Sequence, residues 1–530
     1  MSHHNVDKLV DKCQSSPSTL PYRQLAPELL RAIFAHVPQS DLHNVTLTCH
    51  AFRCIAQPLL FQSLVVSVIQ KPERRNVGYG FDSTLPLFIQ GTLQQHKDRL
   101  AFYASDHIAP SVRNVRLSII MPHLEKPQAR LLVPSGNELI NEFFDVLPSF
   151  AGLETLFLSQ MDFTPRRLAQ LASLKCLPYL SLDVLHCMVS AQTPPIPSNA
   201  TPRIGIADFK MESHARDYFG RQQSVADLAR WSCFLQPTRL RSLRILRDVR
   251  LAEALLPHLA GDTFDNLRVL HIPCGVTASP HFVNALAQSP ALKELLVSRI
   301  PSITPSHFPV SSSDVDLFSL PKLECYGGPT TLLDIFPPGH HARSLRKLTL
   351  WGPLPDGASE PTTTESCIQR LMGFERLVGL KSLHFFVTNV TESLLRVIGE
   401  STTSLEDLCI TLQTHDFDSV EDGVLKRGSL FPSLTRQLPP SLQTLTVQTC
   451  FTCASEGQVH GEMEELVSLG RRRHLRSLRQ IQLAFDGYWV TWGNSSPQND
   501  GIIVERVRRR FGFHNELEVS LFHDHRSLDV

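Results

Sequence analysis

The sequence predicts an α/β chain. A short helical module comes first, followed by a solenoid whose repeated strand–helix units build a curved parallel sheet with helices outside. Three observations predict this. The segment from Leu25 to Leu64 carries apolar residues at helical spacing and reads as a compact unit. A Leu-x-x-Leu-x-(Leu/Ile/Val) phrase then keeps returning through the rest of the chain. Helix-patterned stretches lie between successive copies.

Bulk numbers bound the class. The chain has 530 residues, enough for a large core, and 51 Lys plus Arg against 51 Asp plus Glu. Such a balance gives no reason to expect nucleic acid or an anionic membrane against the chain as a whole. No apolar run reaches the length of a membrane span, and Met1 to Lys12 lacks the apolar stretch of a secretory leader. The 12 Cys are scattered, which suits reduced thiols better than a disulfide framework. The expectation is a soluble intracellular protein, cytoplasmic or nuclear, with no membrane partner.

Residues 1–19 read as a flexible start and 20–65 as the helical module. Pro27 suits a first helical position, where its missing N–H costs nothing, and Glu28 favours the positive helix N-terminus. Leu29, Leu30, Ile33, Phe34 and Val37 then form one apolar stripe, and Pro38 ends the helix. Ser40 or Asp41 is placed to cap a second helix, in which Leu42, Val45, Cys49 and Phe52 share a face, and Pro58 is expected to break it. So short a module is at the lower limit of what folds alone, so part of its apolar surface should dock elsewhere.

This segment resembles an F-box, whose pattern is Leu-Pro-x-Glu-Leu-Leu-x-x-Ile-Phe, a Leu-Pro-x-x-Asp-Leu turn and a later Cys. It covers roughly a tenth of the chain. Leu25-Ala26-Pro27 splits the usual Leu-Pro pair, Val37 replaces a common Leu, and His50 follows Cys49 where Arg or Lys is usual. The resemblance implies docking onto a Skp-type adaptor, and through it onto a cullin ubiquitin ligase. It assigns that contact to Leu25, Pro27, Leu29, Ile33, Phe34, Pro38, Leu42 and Cys49. The alternative is a helical cap on the following domain.

Residues 66–110 read as a linker and approach to the solenoid, with Gln70 to Thr84 as its core, and 111–530 as the repeat domain. Copies of the phrase stand at Leu153/Leu156/Leu158, Leu177/Leu180/Leu182, Leu240/Leu243/Ile245, Leu267/Leu270/Ile272 and Leu292/Leu295/Val297. They continue at Leu320/Leu323/Cys325, Leu345/Leu348/Leu350, Leu380/Leu383/Phe385, Leu405/Leu408/Ile410, Leu442/Leu445/Val447 and Leu478/Ile481/Leu483, with Val112/Val115/Leu117 a divergent first copy. Neighbours are often about 25 residues apart, within the range of leucine-rich repeats. The last two apolar positions alternate with polar ones, as in a strand with one buried face. Helical patterns fill Asn141–Phe150, Thr164–Leu174, Leu251–Ala260, His281–Ala287, Thr364–Leu377 and Thr391–Gly399. No unit buries its own apolar face, so neighbours must cover it. The array resembles the irregular leucine-rich repeats found behind an F-box, without the regular Asn of the strict consensus. Polar, Pro-rich insertions at Ala191–Pro202, Gly352–Ser366 and Gly493–Gly501 read as exposed loops.

In such strands the residues between the buried ones face the concave surface, where solenoids usually bind. Arg244, His271, Tyr326, Trp351, His384 and Phe386 fall at those positions, and aromatic and Arg side chains are enriched in binding hot spots. They are the candidate contacts for a protein substrate; the alternative is that Tyr326, Trp351 and Phe386 pack under other parts of the chain. Cys450 and Cys453 form a lone CxxC near His460, with no second pair to complete a zinc site. His523-Asp524-His525 reads as a tail, and Arg471-Arg472-Arg473 and Arg508-Arg509-Arg510 as basic clusters, the second in a segment expected to be helical. No metal or cofactor is expected. No G-x-S-x-G elbow, P-loop or H-E-x-x-H helix occurs, so nothing invites a catalytic reading. Three readings stand: a ligase adaptor that recruits a protein substrate, a repeat scaffold with F-box-like helices as its cap, and an enzyme of unrecognised type.

Overall fold

The computed structural model describes residues 25–70, 86–120, 132–174, 179–189, 205–212, 225–259, 263–298, 320–329, 332, 344–351, 377, 379–412, 436–452, 460–468, 477–493 and 501–506, with isolated gaps inside some stretches. The expected loops at Ala191–Pro202 and Gly352–Ser366, the core of the expected linker, most of the Thr364–Leu377 helix, both Arg clusters, Cys453 and His523–His525 lie outside them.

The described residues begin with three helices, α1 (Pro27–Phe34), α2 (Gln39–Thr48) and α3 (His50–Leu60). Pro27 starts α1 and Glu28 lies in its first turn, as expected. The single second helix is corrected to two. Cys49 is extended, with φ −156° and ψ 166°, and its sulfur accepts from the Phe52 N–H at 3.4 Å, capping α3. The apolar periodicity runs through this break because α2 and α3 both pack on one small core. Neither Ser40 nor Asp41 caps α2; Pro38 precedes it without a side-chain bond. Pro58 does not end α3 either, since it sits in the last turn and the helix closes at Leu60.

Phe34, Leu42 and Ala56 form the module's buried centre, with Leu30, Val37, Val45, Phe52, Ile55, Leu59 and Leu60 around it. The Phe34 and Phe52 rings meet edge to face at 5.1 Å. This core is separate from the long core of the sheet. Phe61 joins the two regions, packing against the long core with its ring edge-on to Phe102 and Tyr103 at 5.3 and 5.8 Å.

The sheet starts directly after α3, with β1 (Ser63–Gln70), inside the stretch expected as linker. There follow β2 (Leu87–Gln90), α4 (Leu93–Tyr103), β3 (Asn114–Ile120), β4 (Leu132–Val133), α5 (Gly136–Val146), β5 (Thr155–Ser159), β6 (Asp162–Phe163), α6 (Pro165–Ala172), β7 (Ser181–Leu185), β8 (Met188–Val189) and β9 (Asp208–Glu212). Next come α7 (Val225–Ala229), β10 (Ser242–Leu246), α8 (Val249–Leu259), β11 (Val269–Pro273), α9 (Pro280–Ala287), β12 (Glu294–Ser298), β13 (Cys325–Pro329) and β14 (Lys347–Trp351). The last described elements are β15 (Ser382–Val387), α10 (Glu392–Ser401), β16 (Asp407–Leu412), β17 (Thr444–Thr452), β18 (Gln480–Asp486), β19 (Tyr488–Gly493) and β20 (Gly501–Arg506). Among the described residues Thr or Ser side chains cap four helices, Thr92 on α4, Thr164 on α6, Ser279 on α9 and Thr391 on α10, whereas Ser135 before α5 makes no such bond.

Strands β1, β3, β5, β7 and β9 to β18 pair in parallel, each with the next. The result is an open α/β solenoid of the leucine-rich-repeat kind. Inward leucines such as Leu117, Leu156, Leu158, Leu182, Leu243, Leu270 and Leu295 are at most 2% exposed and share one long core with Leu139, Ile140, Phe143 and Phe144 of α5 and with Leu251, Leu255 and Leu256 of α8. Each such side chain contributes about 1.5–3 kcal/mol by leaving water. A backbone ladder precedes the strands: Arg268 N–H donates to Arg241 O, Lys293 to Arg268, Glu324 to Lys293, Arg346 to Glu324 and Lys381 to Arg346, at 2.8 Å each. Side chains of opposite sign meet on this rail where it carries a glutamate, Lys293–Glu324 and Lys381–Glu406 both at 2.7 Å. The last two strands turn antiparallel, β18 to β19 and β19 to β20. Gly501–Arg506 is therefore a strand where a helix was expected; its run of β-branched Ile502, Ile503 and Val504 favours the extended form.

One copy of the phrase is misregistered. Glu294 pairs with Cys325 and Leu295 with Tyr326, so the inward pair of β13 is Tyr326 and Gly328, three residues beyond the expected one. Tyr326 is fully buried and its hydroxyl donates to Pro329 O at 2.9 Å. A Cβ on Gly328 would lie 2.5 Å from that hydroxyl, so a large ring and an absent side chain share the volume that Leu348 and Leu350 fill next door. Gly328→Leu, which restores the neighbours' residue, should therefore destabilise the chain by about 1–3 kcal/mol or more. Tyr326→Leu alone leaves a cavity. The double variant should recover much of both losses, read as the denaturation midpoint in urea; additive losses would refute the shared volume.

Candidate functional site

Two surfaces concern function. The first is on the helical module. Leu29 and Ile33 stand on the outer side of α1, 54% and 51% exposed, and Leu25, two residues before the helix, is 52% exposed. Leu47 on α2 is 62% exposed. The apolar stripe of α1 is thus divided: Phe34 turns inward with Leu30 and Val37, while Leu29 and Ile33 stay in water. Pro27, Pro38 and Cys49 are exposed as well. Of the eight residues that the F-box resemblance assigned to the adaptor contact, Phe34 and Leu42 are instead taken up by the module's own core, where they hold α1 against α2 and α3. Among the described residues, neither core takes in Leu25, Leu29 or Ile33.

The second surface is the outward face of the sheet. Register places Val65, Arg116, Phe157, Asp183, Lys210, Arg244, His271, Leu296, Gly327, Thr349, His384 and Cys409 in one row across it. The six residues expected as substrate contacts fare differently on this face. Arg244 is half-buried and lies on the row, as read. His271 and His384 also lie on it but are buried. His271 Nε2 meets Glu294 Oε1 at 2.7 Å, and His384 Nε2 meets Thr411 Oγ1 at 3.1 Å. Tyr326 is not on this face at all; the register of β13 turns it inward. Trp351 is buried, in register with Pro329 of β13, and its indole N–H donates to Val297 O of β12 at 3.2 Å. Phe386 is partly exposed and stacks at 4.6 Å on His384.

The row is closed from β11 to β15 and open from β1 to β10. The open part was missed by sequence reasoning, which ranked residues by type. It contains Val65, 46% exposed, Arg116 with its guanidinium 4.6 Å from the Phe157 ring centre, and Lys210 paired with Asp183 at 3.0 Å. The spacing of each phrase gave the parity of these positions, but nothing local marks which stretch of the sheet stays in water.

Electrostatics separates the closed part further. Burial would raise the Glu294 carboxyl, but the His271 hydrogen bond and the charges of His271, Arg244 and Lys347 outweigh it and hold it below the usual range. Burial pushes the Cys325 and Cys409 thiols up to about 12, so neither is a thiolate or a nucleophile at neutral pH. Among the described residues no His, Cys, Asp and Glu cluster could hold a metal, and no helix is long and apolar enough to cross a membrane. His460 forms an ion-pair contact with Glu464 one turn on, at 3.5 Å.

No family model matches the chain, and no curated protein matches it. Solved structures do match. One is the crystal structure of the Rad7 and Elc1 complex in yeast, at 12% identity, covering 84% of this chain and 92% of that one with a TM-score of 0.32. Another is a protein from Bacteroides fragilis at 11% identity, covering 73% of each chain with a TM-score of 0.21. At such values neither bears on function, and the architecture stands on the chain's own strand pairings.

Burial, and then the charge of Lys347, lower the His384 imidazole from its ordinary 6.5 to about 4. The unfolded chain therefore takes up the proton first. Stability from this site is whole above pH 6.5 and is lost as the pH falls from there toward 4. The Glu294 carboxylate, lowered in the fold, loses its contribution only below its ordinary 4.5. His384→Gln should flatten the fall in urea midpoint between those two limits relative to the unaltered chain; parallel curves would contradict the assignment.

Proposed function

We propose that this chain is a substrate-recruiting adaptor of a Skp–cullin ubiquitin ligase. The ridge of Leu25, Leu29 and Ile33 seats in a groove of the Skp-type adaptor, and the repeat array holds a protein substrate. The observation that carries the reading is that this ridge stands in water while Phe34, Leu42 and Ala56 complete a core without it. A helical cap on the solenoid would bury its apolar residues against the sheet; α1 leaves half of its stripe outside. Burying one such leucine or isoleucine in a partner yields about 1.5–3 kcal/mol, so three can anchor a stable contact.

The chain itself performs no bond chemistry in this reading. It raises the effective concentration of a substrate lysine beside a charged conjugating enzyme. Pro27 starts α1 and Cys49 caps α3, so both position the ridge. The second reading, a scaffold outside any ligase, predicts that the unaltered chain captures no Skp-type adaptor.

Purified full-length chain and a recombinant Skp-type adaptor decide between them. Leu29→Asp with Ile33→Asp should weaken capture by at least about a hundredfold, because two anchors are lost. Its melting temperature should stay unchanged, since both side chains are exposed. Leu25→Ala with Pro27→Ala should weaken capture less. Phe34→Ala should destabilise the module by about 3–5 kcal/mol. Undiminished capture by the double aspartate variant would refute the proposed ridge.

A further inference from the structure

Strand β1 begins the parallel sheet, and its far side is an edge. Backbone parity shows which groups face that edge. Gln62 O accepts from Arg113 and Asn114 N–H at 2.8 and 2.9 Å, so Gln62, Leu64, Val66 and Val68 turn their backbone groups toward β3. Ser63, Val65, Ser67 and Ile69 turn theirs away. Ser63 O meets the Tyr103 hydroxyl at 3.5 Å, and Ile69 pairs with Phe88 of β2. Val65 and Ser67 have no backbone partner on that side among the described residues.

The gap has a cause. β2 pairs with β1 only at Ile69 and Gln70, then swings away to pair with β4 through Ile89 and Gln90. Gly91, at φ 86°, turns the chain sharply there, and α4 returns alongside β1. Between the diverging elements lies a cleft of about 390 Å³, lined by Val65, Ser67, Gln90, Arg99, Leu100 and Ile120. Proteins usually blunt an exposed edge with charge, proline or a bulge. β1 reads Ser-Leu-Val-Val-Ser-Val-Ile-Gln and carries no charge or proline.

The lining is two-sided. Val65, 46% exposed, gives an apolar wall on the outward face. Arg99 stands on the α4 side, exposed, with only the Tyr103 ring near its guanidinium at 5.8 Å and no acidic partner among the described residues. A strand laid along β1 presents alternate side chains to these two walls.

We propose that the free edge of β1 docks an extended segment of a partner protein in which apolar and acidic residues alternate. The segment adds to the sheet as a further strand, bonding to the backbone of Val65 and Ser67. Its apolar side chains cover Val65, and a carboxylate reaches Arg99. The site is independent of what the helical module binds.

A fluorescein-labelled Thr-Val-Glu-Val-Glu-Val-Thr peptide tests this on the full chain by fluorescence polarisation. Saturable binding below about 1 mM is expected. The same peptide N-methylated at alternate backbone nitrogens, which cannot pair with an edge, should not bind, and a version with Lys for Glu should bind severalfold more weakly. Arg99→Glu, on an exposed helix position, should reduce binding of the acidic peptide severalfold. Ser67→Pro removes an N–H that faces the empty edge and should cost about fivefold. If Ser67→Pro does not fold, the N-methylated peptide against the unaltered chain gives the same answer. Absence of binding, equal binding of the N-methylated or lysine peptides, or a dimer of the chain that Ser67→Pro dissolves would each overturn the proposal.

Discussion

Everything in this molecule rests on the division of its apolar side chains between two cores that do not merge. The long core takes one face of every parallel strand, and the strands can stack only while that face remains continuous. The short core takes Phe34, Leu42 and Ala56 and is closed by three helices. Had α1 turned its whole stripe onto the sheet, the N-terminal helices would be one more cap on the solenoid. Because the short core is satisfied by one side of α1, the other side is left in water.

Phe61 couples these cores. It follows α3 directly, precedes β1, and packs against the aromatic pair that ends α4. The helical module, the first strand and the α4 wall of the edge cleft thus meet around one ring. Both proposed docking surfaces, the α1 ridge and the β1 edge, lie at this end of the chain. The outward face farther along, from His271 to His384, is closed, and its polar groups are used internally, as in the His271–Glu294 contact. A partner on the sheet face would find Val65, Arg116, Phe157 and the Asp183–Lys210 pair instead.

The fold was legible in the sequence because a buried leucine every second residue leaves a mark that no surface residue can imitate. Most copies of the phrase lie on strands in the expected parity, such as Leu295 with Val297 and Leu348 with Leu350. The exception shows the limit of the pattern. Leu320, Leu323 and Cys325 satisfy the phrase by spelling, yet pairing selects Tyr326 and Gly328, whose combined volume a leucine pattern does not register. The break at Cys49 was hidden for a related reason, since residues on both sides of it serve the same core. At the ridge the sequence marked Leu29 and Ile33 by helical spacing and Leu25 through the F-box resemblance, but spacing did not separate them from Leu30 and Phe34, which turn into the module's core. On the sheet the candidate site was not legible, because exposure there depends on what lies above each strand, and Trp351 or His384 carries no local sign of being covered.

The proposed role of the α1 ridge is tested most directly by hydrogen–deuterium exchange on the full chain with and without a purified Skp-type adaptor. The account predicts that amides in α1 to α3, above all from Leu29 to Ile33, exchange more slowly in the complex while those of β3 to β18 keep their rates. Protection along the sheet with none in α1, or no protection anywhere, would contradict it.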